Sequence, residues 1–337
     1  MRRFEDIVGQ EQLRDHLENA VKLGKVSHAY LINGERSSGK EFIAKIFAQA
    51  LQCENRQGAD PCGECHSCVQ AESGNHPDII FLTHEKPNVI SVGEIREQIV
   101  NTVEIMPYKG PYKIYIVDEA EKMNAAAQNA ILKTIEEPPE YAVIFLLTTN
   151  RGAFLDTILS RCILLATRPV PGTAVEKYLV EKCSVSKEEA EFAAGFSLGN
   201  IGKAEAIISS EEFQDLKELT LSILRYIHEI ESYEIADKVK EYKKYKNRIE
   251  DFFDIFLMWF RDIMLLKADN SVNAEAAKKK IIFKNEYAYL KKQVDKLDLE
   301  AIDYVIGKIH RARVRIKSNV NFDATLELLI VEARREF

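Results

Sequence analysis

The chain has 337 residues, 46% of them hydrophobic and 29% charged, with a formal net charge of −7. Such a composition fits a globular chain of about two domains and excludes a disordered one. The negative balance argues against a free-standing nucleic-acid binder held by bulk charge, though not against a local basic face inside an assembly, and no stretch approaches the ~18 apolar residues of a membrane span. The opening MRRFEDIVGQ has arginines but no apolar run behind them, so no signal peptide is read and a cytoplasmic setting is expected. In that compartment six cysteines are expected as thiols or metal ligands rather than as disulfides.

The first half alternates short apolar runs with helical periodicity. Strands are expected at Ala29–Ile32, Asp78–Leu82, Lys113–Val117, Val143–Thr148 and Cys162–Leu165, each nearly continuous in large apolar residues, as strands buried on both faces should be. Helices are expected between them. Phe42, Ile43, Ile46, Phe47, Ala50 and Leu51 fall on one face, and Val92–Val103 and Ala125–Ile135 repeat in the same way. Crossovers of this length predict a five-stranded parallel sheet in an α/β core over residues 1–167. The prolines and glycine of Arg168–Thr173 mark a break. Beyond it, 168–208 reads as a small helical domain around the turn Ser197–Gly202, and 209–337 as a helical bundle. The run Lys238–Arg248 interleaves six basic residues with Tyr242 and Tyr245; its ordinary reading is a solvated helix face, its functional one a partner or nucleic-acid patch.

Strand Ala29–Ile32 leads into Gly34-Glu35-Arg36-Ser37-Ser38-Gly39-Lys40, and a helix is expected to begin at Glu41. This is a phosphate loop in its proper setting. Gly34 and Gly39 let the backbone curl its N–H groups round an anion, Ser38 lies within the curl, and Lys40 adds a point charge. The next position should carry a hydroxyl for magnesium, and here it is Glu41, whose carboxylate repels phosphate. ATP with magnesium is therefore a compromised ligand, and the readings left open are binding without turnover and a vestigial loop. Strand Lys113–Val117 ends in Asp118-Glu119, the acids that in such ATPases hold magnesium and orient the attacking water. Thr148-Thr149-Asn150 at the end of the next strand reads equally well as a polar strand end before a loop and as the place where a side chain such as Thr149 meets a terminal phosphate.

Cys53, Cys62, Cys65 and Cys68 fall as C-x8-C-x2-C-x2-C among polar, turn-forming residues. Four thiolates close a tetrahedron and leave no open position, so a structural zinc in an insertion spanning 53–68 is expected, with His66 or His76 as possible substitute ligands and redox thiols as the alternative.

These residues resemble the bacterial clamp-loader AAA+ family of DNA polymerase III. The likeness is carried by Phe4–Gln10, His28-Ala29-Tyr30-Leu31 and the four-cysteine insertion. It continues through Asp118, the stretch Gln128–Pro139, the serine-arginine-cysteine of Ser160-Arg161-Cys162, and Lys317–Asn321 ahead of an apolar helix. The resemblance implies an AAA+ core, an α-helical lid and an α-helical collar that joins subunits into a ring. That ring would open a sliding clamp and load it on primer-template DNA as part of the DNA-directed DNA polymerase holoenzyme in the bacterial nucleoid. It implies tau/gamma motor and delta subunits as partners and no membrane. It also implies that Arg161 serves in trans, as a finger on ATP held by a neighbour. Two departures, Glu41 and Gly202 where the motor has a sensor arginine, and the chain's stop after the collar point to a stator without ATPase of its own. An ATP-hydrolysing motor and a scaffold that binds no nucleotide are the alternatives.

Overall fold

The computed structural model describes residues 3–268 and 277–337, which divide into two compact units: Met1–Lys182 with Ser197–Lys203, and Cys183–Phe196 with Ala204–Phe337. The first is the α/β unit. Its strands are β1 (Ala29–Asn33), β2 (Ile79–Phe81), β3 (Lys113–Val117), β4 (Ala142–Thr148) and β5 (Ile163–Ala166). All pair in parallel, in the order β2-β3-β4-β1-β5. The expected sheet is present, with strand ends within a residue or two of those read from the sequence.

Burial follows from the apolar runs. One face of the sheet packs on helix Lys40–Gln52, where Tyr30, Phe47 and Phe145 meet with ring centroids 5.1–5.6 Å apart. The other face offers Leu31, Val117 and Ile144 to Ile131 and Ile135 of helix Ala125–Glu136. Each such side chain contributes on the order of 1.5–3 kcal/mol by leaving water. The strand expected at Cys162–Leu165 departs from the reading of burial on both faces: β5 closes one side of the sheet, and Ile163 and Leu164 are exposed. The helix expected over Val92–Val103 is regular only for Val92–Ile95; Arg96–Val100 widens into a π-turn before the chain unwinds.

Two buried charges order the loop that follows. The Asp78 carboxylate accepts the backbone N–H groups of Tyr108, Lys109 and Gly110 at 2.6, 2.9 and 3.2 Å. Lys113 Nζ donates to the carbonyls of Thr102 (2.8 Å) and Ile105 (3.0 Å). Neither role is visible in sequence, because each depends on backbone brought from about thirty or about ten residues away.

Among the described residues the second unit holds helices and no strand. Helix Ile249–Ala268 is its spine, burying Phe252, Phe253, Phe256, Trp259 and Phe260. Helices Glu211–Leu224, Ser232–Glu241, Tyr287–Val294, Leu299–Lys317 and Phe322–Arg335 belong to the same unit. The basic run splits between the end of Ser232–Glu241 and the tight turn Tyr242–Arg248. Its two tyrosines are core residues: Tyr242 is fully buried and donates to Thr220 Oγ1, while Lys243, Lys244 and Lys246 stay at the surface.

Candidate functional site

The phosphate loop leaves the end of β1 and enters helix Lys40–Gln52 through Gly39, whose φ of 85° suits glycine. Gly34 has to be glycine for another reason: a Cβ there would lie 1.8 Å from Thr167 Oγ1, which donates to Ser38 Oγ at 2.9 Å. The lysine is turned inward. Lys40 is only 6% exposed, and its Nζ donates to the loop's own carbonyls, Gly34 O at 2.9 Å and Glu35 O at 2.6 Å. Burial lowers its pKa against the pull of Asp118, Glu121 and Glu35.

The segment Ser197–Lys203 grips the loop from the other side. Asn200 Nδ2 donates to Arg36 O at 2.8 Å, and a Cβ at Gly202 would stand 2.4 Å from Ser37 O. Position 202 therefore lacks more than an arginine side chain, because the backbone contact leaves no room for one. Ser37, at the point of contact, has a φ of 61°.

Lys40, Glu41, Asp118, Glu119 and Thr149 line one cavity of about 890 Å³, together with Glu35, Arg36 and Glu121. Five carboxylates thus face two cations. Glu41 pairs with Lys45 Nζ at 2.5 Å, as i and i+4 on the helix. Glu119, in the left-handed region at φ 47°, is ion-paired with Lys122 and has His84 Nε2 at 4.0 Å. Thr149 is present where expected, but its hydroxyl donates to Glu121 Oε1 at 2.5 Å. Burial works against charge on Glu121, yet the hydroxyls of Thr149 and Thr148 and nearby backbone N–H groups prevail and hold its carboxyl below the usual range. Sequence reasoning passed over Glu121, since a lone glutamate in a turn after a strand carries no signal of its own.

The four cysteines converge. The sulfurs of Cys53, Cys62, Cys65 and Cys68 all lie within 4.8 Å of one another, and Cys62 and Cys68 are 3.9 Å apart. A tetrahedral zinc with ~2.3 Å Zn–S bonds needs sulfurs ~3.8 Å apart, so the donor set fits the metal. N–H groups of Cys62, Cys65 and Cys68 point at the sulfurs of Cys53, Cys62 and Cys65 at 3.2–3.4 Å, the arrangement that steadies thiolates. Burial pushes the Cys53 and Cys68 thiols up, while N–H groups of Cys65 and Glu64 pull Cys62 down to about 6. His66 and His76 are engaged elsewhere: His66 Nδ1 meets Lys109 Nζ at 3.0 Å, and His76 lies between Ser67 Oγ (2.9 Å) and the N–H of Asp78 (3.1 Å).

Arg161 stands between the short helix Asp156–Leu159 and β5, the exposed edge strand, and does not line the phosphate-loop cavity. Its guanidinium pairs with Glu136 Oε1 at 3.0 Å and donates to Thr157 O at 3.0 Å and Ser160 Oγ at 3.2 Å. Two motifs far apart in sequence, Glu136-Glu137-Pro138-Pro139 and Ser160-Arg161-Cys162, meet in that pair. Cys162 is buried, and its thiol is pushed up to about 12 by burial.

The profile of the family described as "DNA polymerase III, delta subunit" matches residues 9–171. Over 326 residues the chain is 27% identical to DNA polymerase III subunit delta' of Bacillus subtilis (strain 168), covering 96% of this chain and 95% of that one. It is 44% identical over 160 residues to subunit tau of the same bacterium, 48% of this chain and 28% of tau. A solved DNA polymerase III gamma subunit-related protein from Thermotoga maritima aligns over 95% of this chain and 99% of its own, with a TM-score of 0.48 and 20% identity. Strand order, phosphate loop and paired acids at the tip of β3 define an AAA+ P-loop protein. Within that class the likeness that runs the full length of the chain is to subunit delta', and the chain is similar to the delta' members of the DNA polymerase III clamp-loader family.

Proposed function

We infer that this chain is the stator of a bacterial DNA polymerase III clamp loader. It helps place the sliding clamp on primed DNA and offers Arg161 to ATP bound by a neighbouring motor subunit. One observation carries the reading: Arg161 sits beside the edge strand β5, outside its own phosphate-loop cavity, and among the described residues Glu136 is its only ion-pair partner. An exposed pair of this kind is worth about 0–1 kcal/mol, so the guanidinium can leave it for a phosphate at little cost. A forked, permanently charged group then stabilises the charge spreading over equatorial phosphate oxygens, an effect worth ~10³–10⁵ in rate.

The chain's own cradle is poorly equipped for hydrolysis. Glu41 replaces the magnesium hydroxyl, Lys40 is spent on loop carbonyls, Glu119 is paired with Lys122, and no sensor arginine fits at 202. Asp118 and Glu119 act only if nucleotide is hydrolysed. Zinc held by Cys53, Cys62, Cys65 and Cys68 would supply a structural staple and no chemistry. On this reading residues 1–167 are the AAA+ core, 168–208 the lid and 209–337 the collar that joins the ring of tau/gamma and delta subunits.

Mixing the purified chain with tau/gamma and delta subunits tests the assignment. A complex containing all three is expected, together with an isolated chain that hydrolyses Mg-ATP far below the ~1 s⁻¹ of a competent enzyme. Failure to assemble contradicts the reading, and turnover near that rate favours the motor alternative, for which the retained Lys40, Asp118 and Glu119 argue.

A further inference from the structure

We propose that Glu121 is the specificity-determining residue of the phosphate-loop cavity: it stands against the terminal phosphate of a nucleoside triphosphate and so selects against the triphosphate form. The inference rests on the preceding view of the loop as an impaired cradle and names a cause within it that lies outside the loop motif.

The placement follows from the backbone. Glu119 adopts φ 47°, ψ 40°, which turns the chain sharply out of β3 into the tight turn Ala120–Lys122. That turn carries Glu119 to Lys122 and brings Glu121 to the wall of the cavity beside Lys40. Its Oε1 takes the Thr149 hydroxyl, while its Oε2 is buried with no hydrogen-bond partner. Among the described residues no cation is ion-paired with it, unlike Glu41 and Glu119, whose charges are offset by Lys45 and Lys122.

The chemistry of the terminal phosphate meets this residue at two points. β1 pairs directly with β4, so Thr148 and Thr149 at the tip of β4 lie next to the loop, on the side to which the loop lysine extends toward the β- and γ-phosphates. Thr149, the hydroxyl placed to donate to a terminal phosphate oxygen, is already donating to Glu121. A γ-phosphate would also have to approach a half-buried carboxylate that is held in its charged form by the threonine hydroxyls and has no ion-paired cation among the described residues, where the local medium screens far less than water. A diphosphate ends before that wall and escapes both penalties. Glu41 differs, because it occupies the magnesium position that di- and triphosphate share.

The test is calorimetric titration of the full chain with Mg-ATPγS and, separately, Mg-ADP, in wild type, Glu121→Gln and Glu41→Thr. Glutamine keeps the size of Glu121 and an oxygen to accept from Thr149, and matching thermal melts establish that the variant is folded. Glu121→Gln is expected to tighten Mg-ATPγS by about tenfold or more and to leave Mg-ADP within about threefold. Glu41→Thr should strengthen both. An unchanged Mg-ATPγS affinity in Glu121→Gln, an equal gain for both nucleotides, or no binding by any of the three proteins overturns the proposal. Each of those results leaves the stator assignment standing, because that assignment fails only if the chain does not assemble with its partners.

Discussion

Asp262 offers a quantitative test of the helical unit. Its side chain is fully buried on helix Ile249–Ala268, and Oδ2 accepts the N–H groups of Ile282 (2.8 Å) and Phe283 (2.9 Å) while Oδ1 pairs with Arg261 at 2.9 Å. Burial raises its pKa from 3.8 to about 6, more than those hydrogen bonds lower it. The folded chain thus keeps this proton up to about pH 6, whereas the unfolded chain releases it near 4. The stabilisation from that proton is complete below about pH 4 and is lost as pH rises through about 6, a change of about 3 kcal/mol at 1.36 kcal/mol per pH unit. Asp262→Asn cannot titrate, so the difference in unfolding free energy between wild type and variant should shift by about 3 kcal/mol between pH 4 and 7, against wild type. Urea unfolding followed by the fluorescence of Trp259 reads this unit selectively, since that residue is the chain's single tryptophan, fully buried on the same helix with Nε1 bonded to Gln293 Oε1 at 2.8 Å. A difference flat to within about 1 kcal/mol over that range would refute the argument.

Zinc at one equivalent per chain is expected by elemental analysis of protein purified without chelator. Its removal should speed amide exchange across residues 53–68 while leaving β1–β5 protected; loss of protection in the strands would mean that the module is part of the core. Gly202→Ala should destabilise the α/β unit by about 1–3 kcal/mol, because its Cβ must displace Ser37 O from 2.4 Å. An unchanged melt would mean that the Ser197–Lys203 segment does not grip the loop.

Much of the architecture was legible because buried parallel strands are written as apolar runs: Lys113–Val117 has the same limits in sequence and structure. The expectation failed where burial depends on position in the sheet. β5 reads like its neighbours, yet as an edge strand it leaves Ile163 and Leu164 exposed. The cysteine spacing and the phosphate loop were plain because their chemistry demands fixed residues at fixed intervals. Gly202 was noticed as a missing arginine, whereas its contact with Ser37 O could come only from the fold. Glu121 and Asp262 were assigned no role and Asp78 was read only as the start of a strand, since an acidic residue looks the same in sequence whether it faces water or a row of N–H groups. Tyr242 and Tyr245 serve the core while the lysines between and beside them stay at the surface, in keeping with the ordinary reading of this run as a solvated face.

The most direct test of the account concerns Arg161. Arg161→Ala should leave the fold unchanged, since its exposed pair with Glu136 is worth about 0–1 kcal/mol. It should also leave nucleotide binding by the isolated chain unaltered. Reconstituted with tau/gamma and delta subunits, the variant ring should lose DNA-stimulated ATP hydrolysis at the one motor site that this chain faces, and clamp loading with it. Arg161→Lys should rescue poorly, because an ammonium cannot reproduce the guanidinium fork. Normal hydrolysis and clamp loading by a fully assembled Arg161→Ala ring would contradict the account.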